Sequence, residues 1–208
     1  MNWELLKTNW EEAWTFPQGE QQFKELLNLY GQPQRHYHTL EHIGEMLLDY
    51  ERAKHLVQHP QALLLAIFYH DSIYRPGSKD NEECSADLAS NVLREAHAEE
   101  QLISKVDSLI LTTKKHPVVV SGDAAILSDL DIAILGMPPD RFGAYDCAIR
   151  EEFAFTPYGK YVGARIAVLE GFLARQHIFH LPLFRQAYEG QARANVHRLL
   201  GELYVRSG

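Results

Sequence analysis

Apolar residues recur at three- and four-residue intervals along most of this chain, which is the spacing of one face of an α-helix. The first two predicted helices contain Trp10 and Phe23, and the second ends at Gly31. Later helices are predicted over residues 37–57, from residue 60 to the pair at 70 and 71, from residue 80, and over 140–155, 159–175 and 182–205. The valines at 118–120 have strand propensity but no evident partner strand, so a buried loop is predicted there.

The pattern predicts an all-α bundle of about eight or nine helices. A chain of 208 residues with 46% hydrophobic content can bury one substantial core, so we expect residues 1–208 to form a single domain. The chemistry is expected within residues 35–135, with the helices of 140–205 packing on that part.

Charge and cysteine content narrow the classes of partner. A formal net charge of −8 argues against a duplex nucleic acid, which requires a clustered basic face. No apolar run reaches the roughly 18 residues of a membrane span, so no membrane partner is expected. The chain has two cysteines, and its beginning lacks the pattern of a signal peptide; a cytoplasmic location is therefore expected.

The dipeptide His70-Asp71 stands at the end of the apolar run ALLLAIFY, where a core would favour leucine. Adjacent side chains on a helix point about 100° apart, so both can address one ion only where the helix ends or at its flank. His38 and His42 are four residues apart and are predicted to share one face of the third helix. Imidazole and carboxylate together suit manganese, iron, nickel, cobalt or zinc, and carboxylate with water also admits magnesium.

A second acidic ligand is expected from the segment SDLDIAILG. Asp129 and Asp131 project about 200° from each other on a helix, so only one of them should face the ion. Their local surroundings leave both open as metal ligands.

The order His42, His70-Asp71 and then Asp129 or Asp131 resembles the HD superfamily of metal-dependent phosphohydrolases. The segments YHTLEH, FYHDSIY, DNEECSA, LDIAILG and IREEF are similar to a small, mostly bacterial group of predicted HD phosphohydrolases. The resemblance implies a helical HD domain in which His42, His70, Asp71 and one of the two later aspartates bind one or two divalent ions.

YHTLEH is also similar to the Tyr-His-Asn-x-x-His string of cyclic-nucleotide phosphodiesterases. That likeness implies that His38 is a proton donor and His42 a ligand, although spacing alone also permits the reverse. Thr39 stands where those enzymes carry Asn, which leaves the support of His38 unassigned. Catalysis is therefore expected to depend on His38 and Asp71.

The implied activity is hydrolysis of a small phosphate ester, with a nucleotide expected, by attack of metal-bound water. A second ion or phosphate oxygens are expected to be bound by Arg35, Glu83, Lys114 and His116. Two alternatives are a di-iron oxygenase, with Glu83 and His116 as extra ligands, and a non-catalytic nucleotide sensor. A homodimer through the tryptophan-rich first helix is a further expectation.

Overall fold

A computed structural model describes residues 2–114 and 121–207, and in these ranges it contains helices and no strand. The helices are α1 (Trp3–Ala13), α2 (Gly19–Tyr30), α3 (Leu40–Ala53), α4 (Pro60–Tyr69), α5 (Asn81–Glu95), α6 (Glu100–Thr113), α7 (Gly122–Asp131), α8 (Pro139–Glu152), α9 (Tyr158–Leu173), α10 (Pro182–Phe184) and α11 (Gly190–Ser207). Short 3-10 turns cover Lys54–Leu56 and Ala133–Gly136, and a π-helical segment, Arg185–Glu189, joins α10 to α11. The all-α prediction is confirmed. The valine run at 118–120 lies outside the described residues.

The start of α3 differs from the prediction, because the helix begins at Leu40 and not before His38. Thr39 is the N-cap, with an extended backbone and a hydroxyl that accepts the N–H of Glu41 at 3.3 Å. Because the backbone of an N-cap residue is not helical, the helix cannot extend to residues before it. His38 and His42 therefore do not share a helix face, and His38 lies in the loop before the helix.

Helix α4 is the centre of the core. Every residue from Ala62 to Tyr69 is buried, and the helix packs against α1, α3, α5, α6 and α7. A segment that is apolar on all sides is stable only when other elements surround it, which explains why this run lies in the middle. Trp10 stacks on Trp14 with ring centroids 5.2 Å apart and meets Phe68 edge-on, so these two tryptophans belong to the core.

The turn after α7 is held by the C-terminal helices. Helix α11 packs against this turn and against α9. The Asn195 amide donates hydrogen bonds to the carbonyls of Leu135 and Met137 at 2.9 and 2.8 Å. Gly136 is required there, because a Cβ atom at this position would lie 2.4 Å from Cβ of Tyr188. Within the described ranges, no helix has the length and apolar character needed to cross a membrane.

Candidate metal centre

Three helix ends meet beside the core and bring ionisable side chains together. His42 lies in the first turn of α3, His70 is the residue that follows α4, and Asp131 is the last residue of α7. At the C-terminal end of α4 the chain turns, and Asp71 can then face the same point as His70. This is the helix-end arrangement that the adjacency of the two residues requires.

The ligand atoms of His42, His70 and Asp131 all lie within 4.8 Å of one another, so this group could hold a metal ion. Asp131 Oδ1 is 3.1 Å from His42 Nε2 and 3.6 Å from His70 Nε2. Asp71 joins them, with Oδ2 at 3.1 Å from His70 Nε2. Both imidazoles are buried, while the two carboxylates are 14% and 15% exposed, which opens the group to solvent on one side.

The hydrogen bonds of the imidazoles orient their Nε2 atoms toward this point. His70 Nδ1 donates to the carbonyl of Ile67 at 2.9 Å, so the neutral ring presents an unprotonated Nε2. That Nε2 is buried and, within the described parts of the chain, has no hydrogen-bond partner. His42 Nδ1 lies 3.0 Å from the hydroxyl of Tyr37. Buried lone pairs facing carboxylates fit a cation.

Electrostatics at the group also favour positive charge. Burial alone would lower the pKa of His70, but the carboxylates of Asp71 and Asp131 raise it well above its usual value. Burial opposes ionisation of Asp71, yet His70 and His38 lower the pKa of its carboxyl. The carboxylate of Asp71 is therefore favoured in its ionised form, and the site stabilises a proton or a metal ion beside it.

His38 lies at the edge of the group, and its support comes from Glu152. The Nδ1 atom of His38 is 2.7 Å from Glu152 Oε2, and its Nε2 atom is 3.9 Å from Asp71 Oδ2. Glu152 Oε1 also accepts the backbone N–H groups of His36, Tyr37 and His38 at 2.8, 2.8 and 3.0 Å. Glu152, a buried carboxylate at the end of α8, thus holds the loop that contains His38. The sequence alone had left the support of His38 unassigned.

The pKa values of this pair follow from the contact. Burial opposes the charged form of both groups. The nearby carboxylates of Asp71 and Glu152 nevertheless raise the pKa of His38. The hydrogen bond and charge of His38, with the backbone N–H groups, lower the pKa of Glu152 to about 2. His38 is therefore favoured as an imidazolium that points Nε2 at the cavity.

Arg35 is not free to bind phosphate, contrary to the expectation from the sequence. It is buried, and its guanidinium donates to the carbonyls of His38, Asp71 and Ser72 at 3.0, 2.7 and 2.8 Å. Its planar head is covered by the rings of Tyr30 and Tyr74. Arg35 therefore ties the His38 loop to the end of α4.

Asp129 is placed outside the group. Its fully buried carboxylate accepts the backbone N–H groups of His180 and Leu181 at 2.7 and 2.8 Å and lies 2.8 Å from His180 Nδ1. Asp129 and Asp131 face opposite sides of α7, and Asp131 is the one on the side of His42 and His70. Of the two aspartates that the sequence left open, the structure therefore brings Asp131 to the histidines, whereas the oxygens of Asp129 bind a turn on the other side of the helix.

Of the other predicted residues, Glu83 and Lys114 lie apart from the group. Glu83 is paired with Lys114, whose ammonium also donates to the carbonyl of Lys79 at 2.6 Å. Neither side chain lines the cavity at the site, so a ligand or phosphate-binding role for them is not supported. Glu82, one residue earlier on α5, lines that cavity instead. His116 lies outside the described residues.

A cavity of about 230 Å³ opens onto His38, Asp71 and Asp131. Its far wall is largely apolar and comes from the turn after α7 and from α8 and α9. The apolar part consists of Ile132, Ile134, Leu135, Ile149, Val168 and Phe172. A molecule bound in this cavity beside the ionisable group would contact this wall.

From the sequence, Glu152 could equally line the cavity or be a solvated or helix-pairing charge, and its contact with His38 was not predicted. A signal was present, because Phe142, Tyr145, Ile149 and Glu152 follow the i, i+3, i+7, i+10 spacing of one buried face of α8. A carboxylate at a core-facing position requires a partner, and the partner here is more than a hundred residues away.

No protein-family model, curated protein or solved structure matches this chain.

Proposed function

We propose that this chain is a metal-dependent phosphohydrolase of the HD type that cleaves a small phosphate ester with water. One observation carries the proposal: His42, His70 and Asp131 converge within 4.8 Å, and Asp71 and His38 stand next to them at the same cavity. Metal ligands alone would also suit a structural ion. A base and an acid beside the ligands, both facing a cavity, are the parts that hydrolysis needs.

The residues present fit a divalent ion. His42, His70 and Asp131 would hold it, with Asp71 as an additional carboxylate, and this donor set suits manganese, iron, cobalt, nickel or zinc. When bound, such an ion lowers the pKa of a coordinated water and supplies positive charge for the phosphoryl oxygens. The same donors, with Glu82 at the cavity, leave room for one ion or two.

Asp71 is the proposed base. The pKa of its carboxyl is lowered, so it is ionised at neutral pH and can accept the proton of the attacking water. Its backbone carbonyl is fixed by Arg35, which limits movement of the side chain's point of attachment. The bond between phosphorus and the leaving oxygen breaks as the bond from water to phosphorus forms.

His38 is the proposed acid that protonates the leaving oxygen. Glu152 holds its Nδ1 atom, so the proton available for transfer is on Nε2, which faces the cavity side of Asp71. General acid catalysis of this kind contributes on the order of 10²- to 10⁴-fold in rate. In this assignment His42 is a ligand and His38 the donor. The products are inorganic phosphate and an alcohol.

The alternatives derived from the sequence receive less support. A di-iron oxygenase was expected to use Glu83 as an extra ligand, but that carboxylate binds Lys114. A nucleotide sensor would use the same ion without turnover. Hydrolysis is favoured over sensing because Glu152 and Tyr74 position His38 as an acid, which binding alone does not require.

The test is ester hydrolysis by chelator-stripped protein supplied separately with manganese, iron, cobalt, nickel, zinc or magnesium. The products are separated and identified, because a cyclic phosphate opens to a monophosphate without releasing inorganic phosphate. The substrate panel contains nucleoside mono-, di-, tri- and cyclic phosphates and small alkyl and aryl phosphates. We expect metal-dependent turnover that Asp71→Asn lowers on the order of 10³-fold.

Asp123→Asn is the matched control, because Asp123 is also buried and paired with a histidine but lies away from the cavity. This variant should retain turnover. Stoichiometric metal without hydrolysis of any ester would overturn the proposal, and tight nucleotide binding in that case would identify the sensor.

A further inference from the structure

We infer that the substrate is a phosphate monoester of a compact, apolar alcohol and not of a nucleoside or sugar. This inference rests on the proposed function and narrows it, because the sequence had favoured a nucleotide. Within the described parts of the chain, the uncharged polar side chains that line the cavity already bond to other protein groups, and the wall opposite the ionisable group is apolar.

The tyrosines of the cavity have their hydroxyls bonded to the protein. The Tyr74 hydroxyl donates to Glu152 Oε2 at 2.8 Å, and the Tyr37 hydroxyl is 3.0 Å from His42 Nδ1. The Tyr145 hydroxyl accepts from Arg165 at 3.2 Å. These side chains therefore contribute aromatic surface to the cavity, while their hydroxyls bond to Glu152, His42 and Arg165.

The neutral polar residues of the lining are used in the same way. Both ends of the Asn81 amide pair with the backbone of Arg75 at 3.0 Å. The Thr113 hydroxyl donates to the carbonyl of Ile110 at 2.8 Å. A substrate hydroxyl or base edge placed against these groups would lose water without gaining a full set of partners, which costs free energy.

The wall opposite the ionisable group is suited to apolar atoms. Ile134, Leu135 and Ile149 are buried behind the cavity, and Val168 and Phe172 of α9 stand closer to its opening. Burial of a branched alkyl chain or a single ring against such a wall is favourable by about 25 cal/mol per Å² of apolar surface. The ionisable residues of the lining, His38, Asp71, Glu82 and Asp131, are then left for the metal and the phosphate group.

The size of the cavity agrees with this assignment. The volume of about 230 Å³ must hold the phosphate group as well as the alcohol, and the phosphate group takes a substantial part of it. Sites for drug-sized ligands begin at about 300 Å³. A short branched chain or one ring fits the remainder, while a nucleoside would have to extend beyond the apolar wall.

The experiment compares kcat/KM of the metal-loaded protein for two esters of equal size. The alcohols of 3-methylbutyl phosphate and glycerol 1-phosphate have the same number of non-hydrogen atoms, but only the second carries extra hydroxyls. We expect 3-methylbutyl phosphate to be preferred on the order of 10- to 100-fold. Intrinsic leaving-group ability favours glycerol, so such a preference would come from the protein.

Phenyl phosphate, 1-naphthyl phosphate and adenosine monophosphate extend the series in size. Phenyl phosphate should be accepted, and the other two should be poor substrates of the wild-type protein. Phe172→Ala should raise kcat/KM for 1-naphthyl phosphate, since it widens the cavity near its opening. Val168→Thr, a change of similar volume at a half-exposed position, should lower the preference for 3-methylbutyl over glycerol phosphate.

The outcomes separate the two claims. Turnover with equal or better kcat/KM for glycerol phosphate or adenosine monophosphate would overturn this inference and leave the hydrolase intact. Absence of turnover on every ester, with metal bound, would overturn both.

Discussion

Helix α7 carries three aspartates with very different surroundings. Asp123 in its first turn accepts the N–H groups of Gln58 and His59, and Asp129 near its end accepts those of His180 and Leu181. Each also lies close to one histidine Nδ1, at 2.7 and 2.8 Å.

Asp131 instead faces the Nε2 atoms of His42 and His70. In Asp123 and Asp129, a buried aspartate beside a histidine has a structural role, because backbone N–H groups occupy its oxygens. Asp131 is a candidate ligand, because its carboxylate faces the Nε2 atoms of two imidazoles.

The strongest test of this contrast is Asp131→Asn. We expect it to weaken metal binding by about 10³-fold, because the binding free energy is shared among few ligands. Folding in the presence of chelator should change by less than about 1 kcal/mol. Metal content and calorimetric titration measure the first effect. Equal losses for Asp131→Asn and Asp129→Asn would erase the distinction between the two aspartates.

Glu152 combines both kinds of surroundings, since it accepts three backbone N–H groups and a histidine. Its pKa of about 2 is below the ordinary value of 4.5, so its stabilising contribution is present above pH 4.5 and is lost as pH falls toward 2. Between pH 7 and pH 3 the wild-type free energy of unfolding should fall by about 2 kcal/mol more than that of Glu152→Gln. Denaturant unfolding at several pH values measures this difference, and parallel curves would contradict it.

Asp129→Asn should reduce stability without changing the metal. An amide has one acceptor oxygen in place of two, so part of the turn at 178–182 loses its anchor, at a cost of about 1 to 2 kcal/mol. The melting temperature should fall by about 2 to 8 °C. Thermal unfolding with and without metal measures both quantities, and a loss of metal stoichiometry would place Asp129 among the ligands after all.

The smallest expected effect is that of His59→Ala. The imidazole is 50% exposed, and the two backbone N–H groups that bind Asp123 remain in the variant. The change should cost about 0.5 kcal/mol and leave turnover unaltered. A loss as large as that of Asp129→Asn would show that the histidine, and not the backbone, holds the carboxylate.

The sequence was sufficient for the helical class and for the central helix, because the run ALLLAIFY leaves no polar face and Pro60 marks its beginning. The adjacency of His70 and Asp71 left a helix end or a helix flank open, and the structure places the pair directly after α4. The predicted start of α3 was wrong, because the spacing of His38 and His42 is compatible with a helix. Only the capping geometry of Thr39 excludes a helix over both residues.

Long-range contacts account for the rest. Whether Asp129 or Asp131 faces the histidines depends on where the turn at 178–182 packs, some fifty residues later. The pairing of His38 with Glu152 joins segments that are 114 residues apart. Local patterns contain no record of such distances, so these assignments required the fold.

The hydrogen bonds of Arg35 have a consequence for transferring this site to another scaffold. The guanidinium of Arg35 joins the main chain at His38 to that at Asp71 and Ser72 through hydrogen bonds, as a crosslink without a covalent bond. Arg35 therefore links the backbone carbonyls of the proposed acid, His38, and the proposed base, Asp71. This link keeps their separation fixed when neighbouring helices shift. A graft that moved the histidines and aspartates without Arg35 would therefore lack the side chain that aligns their backbones.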